Sequence, residues 1–337
     1  MFIMQSRYET LQGILFMLLN TIALAILDIS AKTLRETMGS AHIVFLYKGL
    51  LLLAILPWVF NKGFKGLRTE RIYVHLVRSF FSVLGSIFFV HGLHYVNMAD
   101  AAALENIQYV FLAFIGILFF KEELTVIKVL AMVLGFCGAV IVVNPAVLSA
   151  ITGESFKASG DVIYGYTLMA IGFWTMNSVL VKILGRTEKS KIQLFYLMFF
   201  TCLWTTPFIF IEWNTVNVLG LDLQLVPNRY IGLSGFNVQV GDIKFLILMA
   251  LCFFAHGVAY FKALKREMSI VITFRYTKLL FSGVLGFLFF SEIPSKVSLI
   301  GYTLIILSGL VLLLAEYIKA RNKKIVAANL HTNNQIV

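Results

Sequence analysis

Charge is what this 337-residue chain has least of: 13% of its residues are charged, against about 25% in an ordinary soluble domain. So few ionised side chains cannot cover the surface of a soluble protein of this length, and that class is excluded. Cysteine is scarce too. Cys137, Cys202 and Cys252 all fall in apolar stretches without metal-ligand spacing, which removes both a disulfide framework and a zinc site. No GxxxxGK[ST] run is present, so the chain is not itself an ATPase. Nor is there an HExxH, a GxSxG or a pair of carboxylates on an ordered loop, and nothing points to catalysis, a metal or a cofactor. The first apolar segment runs on through Asp28 and Lys32 with no small-residue cleavage site behind it, so it is expected to remain in the mature protein rather than to be a signal peptide.

What fills the chain instead is hydrophobic residues, 59% of the total. They recur in segments close to the roughly 20 residues that cross a bilayer. Ten such spans are expected, near 11–30, 43–60, 72–95, 98–120, 125–144, 161–184, 192–211, 243–264, 268–290 and 297–317. The net charge of +11 follows the same plan. With ten alternating spans, seventeen basic residues, among them Arg68, Arg186, Lys265 and Arg321, share the side of the N-terminus, and six lie opposite. That imbalance puts both termini in the cytoplasm. Basicity therefore reports topology, and nucleic acid is not an expected partner.

The two halves resemble each other. FIGILFFKEELT at 114–125 aligns with VLGFLFFSEIPS at 284–295, setting Gly116 on Gly286 and Glu122 on Glu292 at an offset of 170. Gly138 and Gly309, Tyr47 and Tyr196, and Lys32 and Lys182 also correspond. The expected fold is all-α and polytopic: ten transmembrane helices built as a 5+5 inverted-topology repeat, since an odd number of spans per half reverses its twin. The boundaries are 9–145 for the first five-helix repeat, 146–160 for a linker, 161–318 for the second repeat and 319–337 for a basic cytoplasmic tail. The long outer connection at 212–242, with four glycines and Pro227, reads as turns rather than helix. Glycines such as Gly85, Gly135, Gly138 and Gly286 allow close helix packing.

A charge at the centre of a span costs roughly 2.5–3.5 kcal/mol on insertion scales, so one that is kept needs a partner, a wet cavity or an exit to the headgroups. Lys48, Arg78 and Lys182 lie near span ends, within snorkelling reach. Asp28 and Lys32, spaced i, i+4 on one helix, are placed to pair. Glu105 and Arg275 are repeat equivalents about 10 Å into their spans, and Lys278 lies deeper still. A Glu105–Arg275 pair would either lock the halves together or act as a gate. Tyr109 and Tyr276, with other span aromatics, are candidates for stacking on a ligand, and span histidines such as His75 and His256 for packing or proton relay.

The stretches RSFFSVLGSIFFVHGLHYVNMADAAALE (78–105), FFKEELT (119–125), LGFCGAVIV (134–142) and FRYTKLLFSGVLGFLFFSEIPSK (274–296) resemble the drug/metabolite transporter superfamily with paired EamA domains, over about 11–318. The Arg275–Tyr276 dipeptide and the run behind it are most similar to the subgroup of bacterial S-adenosylmethionine carriers. The resemblance implies a ten-helix bundle of the inner (cytoplasmic) membrane that moves a small metabolite by alternating access, without cofactor. It places Arg78, Arg275 and Tyr276 on family-like positions, and it makes Glu122 and Glu292 helix-end residues of turn and cap type. Gln108 and Tyr109, where the family usually has a proline, and the 212–242 loop depart from the pattern.

The reading is a transporter, not an enzyme, with a small-molecule substrate and the lipid bilayer as partners. Glu105, Arg275, Tyr276, Lys278, Arg78 and Tyr109 are the expected substrate residues, and Glu105, Arg275, Asp28 and Lys32 the expected gating or charge-pair residues. Arg275 and Lys278 would hold an anionic group and Glu105 a cationic one, as uptake of S-adenosylmethionine requires. Export of amino acids or drugs by the same fold fits nearly as well, and an enzyme acting on a lipid-linked substrate is the alternative of another class. Proton coupling and a homodimer complete the expectations.

Overall fold

The computed structural model describes residues 2–60, 67–120, 125–144, 161–184, 188, 190–210, 216–218, 221–223, 238–264, 274–311, 314 and 318. The linker at 146–160, the tail at 319–337, Glu122, most of the 212–242 loop, the start of the ninth span and the side chains of Tyr109 and Lys182 lie outside the described residues.

The architecture is helical: α1 Phe2–Leu34, α2 Ser40–Phe60, α3 Ile72–Gly92, α4 Met98–Glu105, α5 Ile107–Phe120, α6 Val126–Val143, α7 Asp161–Leu184, α8 Ser190–Phe210, α9 Val240–Leu264, α10 Thr277–Phe290 and α11 Lys296–Val311. Five of them, in α1, α2, α3, α8 and α9, hold stretches long and apolar enough to cross a membrane on length and composition alone. A small antiparallel ribbon, β1 Val216–Val218 with β2 Leu221–Leu223, occupies part of the long 212–242 loop.

Helix faces divide as a membrane requires, with large apolar side chains outward and polar ones inward. On α10, Lys278, Ser282 and Gly286 recur every fourth residue on the buried face, whereas Leu280, Val284, Phe287 and Leu288 are exposed. That period is the helix's own. On α1, Leu11, Leu15 and Leu19 face outward, and Asn20, Thr21 and Asp28 are buried.

The helices pack pairwise. The most extensive contacts join α1 to α9 and α3 to α7, followed by α2 to α8. Between α6 and α11 the backbones nearly touch: a Cβ on Gly301 would come within 2.8 Å of the Gly138 carbonyl oxygen, so small residues are what permit this contact. Ser308 Oγ then donates to the Ala131 carbonyl at 2.7 Å.

One span is broken among the described residues. The fourth is interrupted at Asn106, between α4 and α5, where the Asn106 side chain donates to the Ala102 carbonyl at 3.0 Å. The ninth enters through a 3₁₀ turn, Phe274–Tyr276, before α10 begins.

Candidate functional site

Lys278 stands in the first turn of α10, 4% exposed. Its Nζ lies 2.7 Å from Asp28 Oδ2 on α1 and 2.5 Å from Glu105 Oε1 at the end of α4, and 5.7 Å from the centroid of the Phe89 ring on α3. Four helices therefore converge on one ammonium group. A lysine is suited to this because its three donors can serve two acceptors at once.

This geometry corrects both pairings expected from the sequence. Glu105 pairs with Lys278 and not with Arg275, because the 3₁₀ turn carries Arg275 toward α9, where its guanidinium lies 5.3 Å from the Tyr260 ring centroid. Asp28 and Lys32 do not pair along α1, since each meets a partner on another helix. Asp28 meets Lys278, and Lys32 meets Glu292, just beyond the end of α10.

Glu292 anchors the C-terminal end of α10. Ser291 adopts φ 55 and closes α10 in a left-handed turn, with Glu292 N–H donating back to the Gly286 carbonyl. That turn swings the Glu292 carboxylate onto α4, where it accepts the Met98 N–H at 2.7 Å. Lys32 also donates to the Val96 carbonyl at 2.8 Å. Close by in sequence, Asp100 is 1% exposed and accepts hydroxyls from Tyr302 at 2.6 Å and Tyr164 at 3.1 Å. Asp28 and Glu105 are among the residues expected from sequence, and Asp100 is not. A lone carboxylate in the alanine-rich MADAAALE run was the available signal.

The opposite end is held by a second polar group. His75 Nε2 lies 2.5 Å from Glu188 Oε2, and Thr69 donates to the same carboxylate. Arg78 does not snorkel. It is 7% exposed, and it donates to Asn177 Oδ1 at 3.3 Å and to the Gln193 carbonyl at 3.4 Å, tying α3 to α7 and α8. Lys48 is likewise buried instead of reaching headgroups, with Nζ donating to Ser86 Oγ at 2.9 Å.

Three expected residues do not share the central cluster's ion pairs. Tyr276 is buried with its hydroxyl against Gly309, Arg275 lies beside Tyr260, and Arg78 binds Asn177 and Gln193. Gln108 donates to Ser178 on α7 at 3.0 Å. His256 accepts from Asn20 at 2.7 Å, bonding α9 to α1.

A broken span beside a buried site is typical of membrane carriers, and comparison with known proteins points the same way. Residues 11–144 match the EamA-like transporter family. An S-adenosylmethionine uptake transporter of Rickettsia bellii is 25% identical over 313 residues, which covers 93% of this chain and 97% of that protein. The Rickettsia felis protein of the same name is 25% identical over 93% and 96%. A riboflavin transporter of Vibrio cholerae is 26% identical over 96% of this chain and 100% of its own. One solved crystal structure is similar with a TM-score of 0.52 over 93% of this chain and 99% of its own, at 18% identity, a likeness of fold alone. The EamA-like match and these relatives place the chain among membrane transporters and not among enzymes.

Proposed function

We propose that the protein is a secondary transporter that moves a small polar metabolite across the cytoplasmic membrane by alternating access between two oppositely oriented five-helix halves. The observation that carries this reading is the Lys278, Asp28 and Glu105 cluster, buried where α1, α4 and α10 meet beside the break at Asn106 and the 3₁₀ turn at Phe274–Tyr276. Interrupted spans supply free backbone groups for a ligand at the level where the halves meet. The reading of two halves is supported by exchanged packing. If α1, α2 and α3 correspond to α7, α8 and α9, then the α1–α9 contact is the counterpart of α7–α3, and α2–α8 is its own counterpart.

The cluster also supports coupling to protons. Two carboxylates face one ammonium, leaving one negative charge over when all three are ionised. In a low-dielectric interior that excess is relieved by a bound proton or by a cationic group on the substrate, and not readily by both at once. Competition for one charge deficit is a physical basis for exchange. The groups around Glu292 at the outer end and Glu188 at the inner end are the gates of this scheme, and both termini are cytoplasmic by the distribution of basic residues.

Among substrates, S-adenosylmethionine, riboflavin and amino acids form the panel to test. Purified protein in proteoliposomes, assayed with labelled compounds with and without a proton gradient, is expected to move one class, and Glu105→Gln and Arg275→Ala are expected to slow it. Wild-type rates in both variants would make those residues structural and leave the cluster without a role in transport.

A further inference from the structure

Lys48 is 1% exposed in the middle of α2, yet its one direct polar contact among the described residues is neutral. Nζ donates to Ser86 Oγ, and Ser86 in turn donates to the Ser82 carbonyl at 2.8 Å. The rings of Tyr47 and Phe253 flank the ammonium at 5.8 and 5.9 Å. The carboxylates of Glu292, Glu188, Asp28 and Glu105 are taken up by Lys32, His75 and Lys278. An ammonium has three donors, so most of the capacity of this one is directed at something other than a protein anion. A buried cation lacking a counter-charge is costly.

The central cluster has the opposite deficit, two carboxylates for one lysine. The two sites are neighbours through α3. Ser86 carries Lys48, and Phe89, three residues on, carries Lys278 on its ring. Residues three apart share a helix face, and their separation along the axis is on the order of 5 Å. A positive deficit and a negative deficit thus lie about one helical turn apart along one side of α3.

We propose that Lys48 with Ser86 is the anion pole, and Asp28 with Glu105 the cation pole, of a binding site for a zwitterion whose carboxylate and cationic centre are a few bonds apart, as in an α-amino acid group. This rests on the transporter reading above and narrows its substrate class. A zwitterion satisfies both deficits in one step, whereas a simple ion satisfies one and leaves the other. Lys278, already paired twice, is thereby relieved of the anion-binding role suggested by sequence. The rings of Tyr47, Phe89 and Phe253 supply faces that favour a cationic group entering between the poles.

The test uses the full chain in proteoliposomes. Labelled S-adenosylmethionine and labelled methionine are the zwitterionic probes, decarboxylated S-adenosylmethionine and methionine methyl ester the competitors without a carboxylate, and riboflavin the uncharged control. In wild type, removal of the carboxylate is expected to weaken competition about 10- to 100-fold, the scale of one charge-assisted hydrogen bond. Lys48→Met is expected to raise KM for the zwitterion by a similar factor, with kcat changed far less, and to erase the preference for the carboxylate. Lys48→Arg restores most of both, and Ser86→Ala moves KM the same way by less. Equal competition by the carboxylate-free compounds, transport of riboflavin alone, or an unchanged KM in Lys48→Met overturns the zwitterion site while leaving a transporter in place. Failure of wild type to move any compound on the panel, under any gradient, overturns the transporter reading and the site with it. If Lys48→Met does not fold, competition in wild type together with the Ser86→Ala KM decides.

Discussion

The Nζ of Lys278 lies between Asp28 Oδ2 and Glu105 Oε1, at 2.7 and 2.5 Å, and thereby joins α10 to both α1 and α4. Removing the lysine leaves two buried carboxylates facing one another, a far worse arrangement than removing either acid. Lys278→Met is therefore expected to destabilise the protein by about 3–5 kcal/mol, the usual cost of breaking a buried pair. Asp28→Asn, which keeps one carboxylate for the lysine, should cost clearly less. The triple variant Lys278→Met, Asp28→Asn, Glu105→Gln should recover much of the loss. Apparent thermal midpoints in one detergent check the order, and a triple variant no better than Lys278→Met would show that charge is not what holds these helices together.

The positions of the helices were legible in the sequence because a span is a local property. Span ends expected at 72, 98 and 161 coincide with the starts of α3, α4 and α7. That charged residues deep in spans would turn inward was legible for the same reason, since the cost of burying them depends mainly on depth. The identity of each partner was not legible. Asp28 and Lys32 satisfy every local rule for an i, i+4 pair, yet each meets its partner on another segment of the chain. The turn at Phe274–Tyr276 decides between Arg275 and Lys278 as the partner of Glu105, and no periodicity announces a three-residue 3₁₀ turn in an apolar run. Lys48 was misread as snorkelling because distance from a span end says nothing about which neighbour occupies the route to the headgroups.

Glu292 joins three elements through one side chain, pairing with Lys32 and capping the Met98 N–H of α4. Glu292→Gln keeps an oxygen for the amide but loses the charge, and Glu292→Ala loses both. The expected costs are about 1–2 kcal/mol for the first and about 2–4 kcal/mol for the second, on the scale of charge-assisted hydrogen bonds and of unsatisfied buried donors. If the group also closes the outer end, both variants should react faster with an impermeant thiol reagent at a cysteine introduced at Ser282, which is buried on α10. Unchanged labelling would leave Glu292 as a cap and nothing more.

Ser291 carries the turn that aims Glu292, at φ 55 in a region where a residue with a Cβ is strained. The left-handed conformation costs an L-residue roughly 1–2 kcal/mol, and glycine adopts it freely. Ser291→Gly is expected to raise stability by about 0.5–1 kcal/mol, after the extra backbone entropy that glycine loses on folding. Ser291→Val should lower it and should also weaken the Glu292 contacts, because a β-branched residue would pull the backbone out of that turn. Equal midpoints for the two variants would mean that the turn is not under strain.

Gly309 and Tyr276 make a sharper test of how the ninth span is seated. A Cβ added at Gly309 would fall 1.2 Å from the Tyr276 hydroxyl oxygen and 1.9 Å from the ring carbon that bears it, so the two cannot coexist without displacing the ring or separating the helices. In an isolated helix, glycine to alanine is favourable by about 1 kcal/mol, and here the sign should reverse. Gly309→Ala is expected to destabilise by about 1–3 kcal/mol, as overpacking does, and to impair transport by shifting Tyr276 and its neighbours Arg275 and Lys278. Tyr276→Ala removes the obstruction at the cost of its own packing. In the double variant Gly309→Ala should therefore be nearly neutral or slightly stabilising. A double-mutant cycle reads this as a coupling energy of about 1–3 kcal/mol. Simple additivity would mean that the hydroxyl does not rest on the glycine, and that the 3₁₀ turn preceding α10 is held by other contacts.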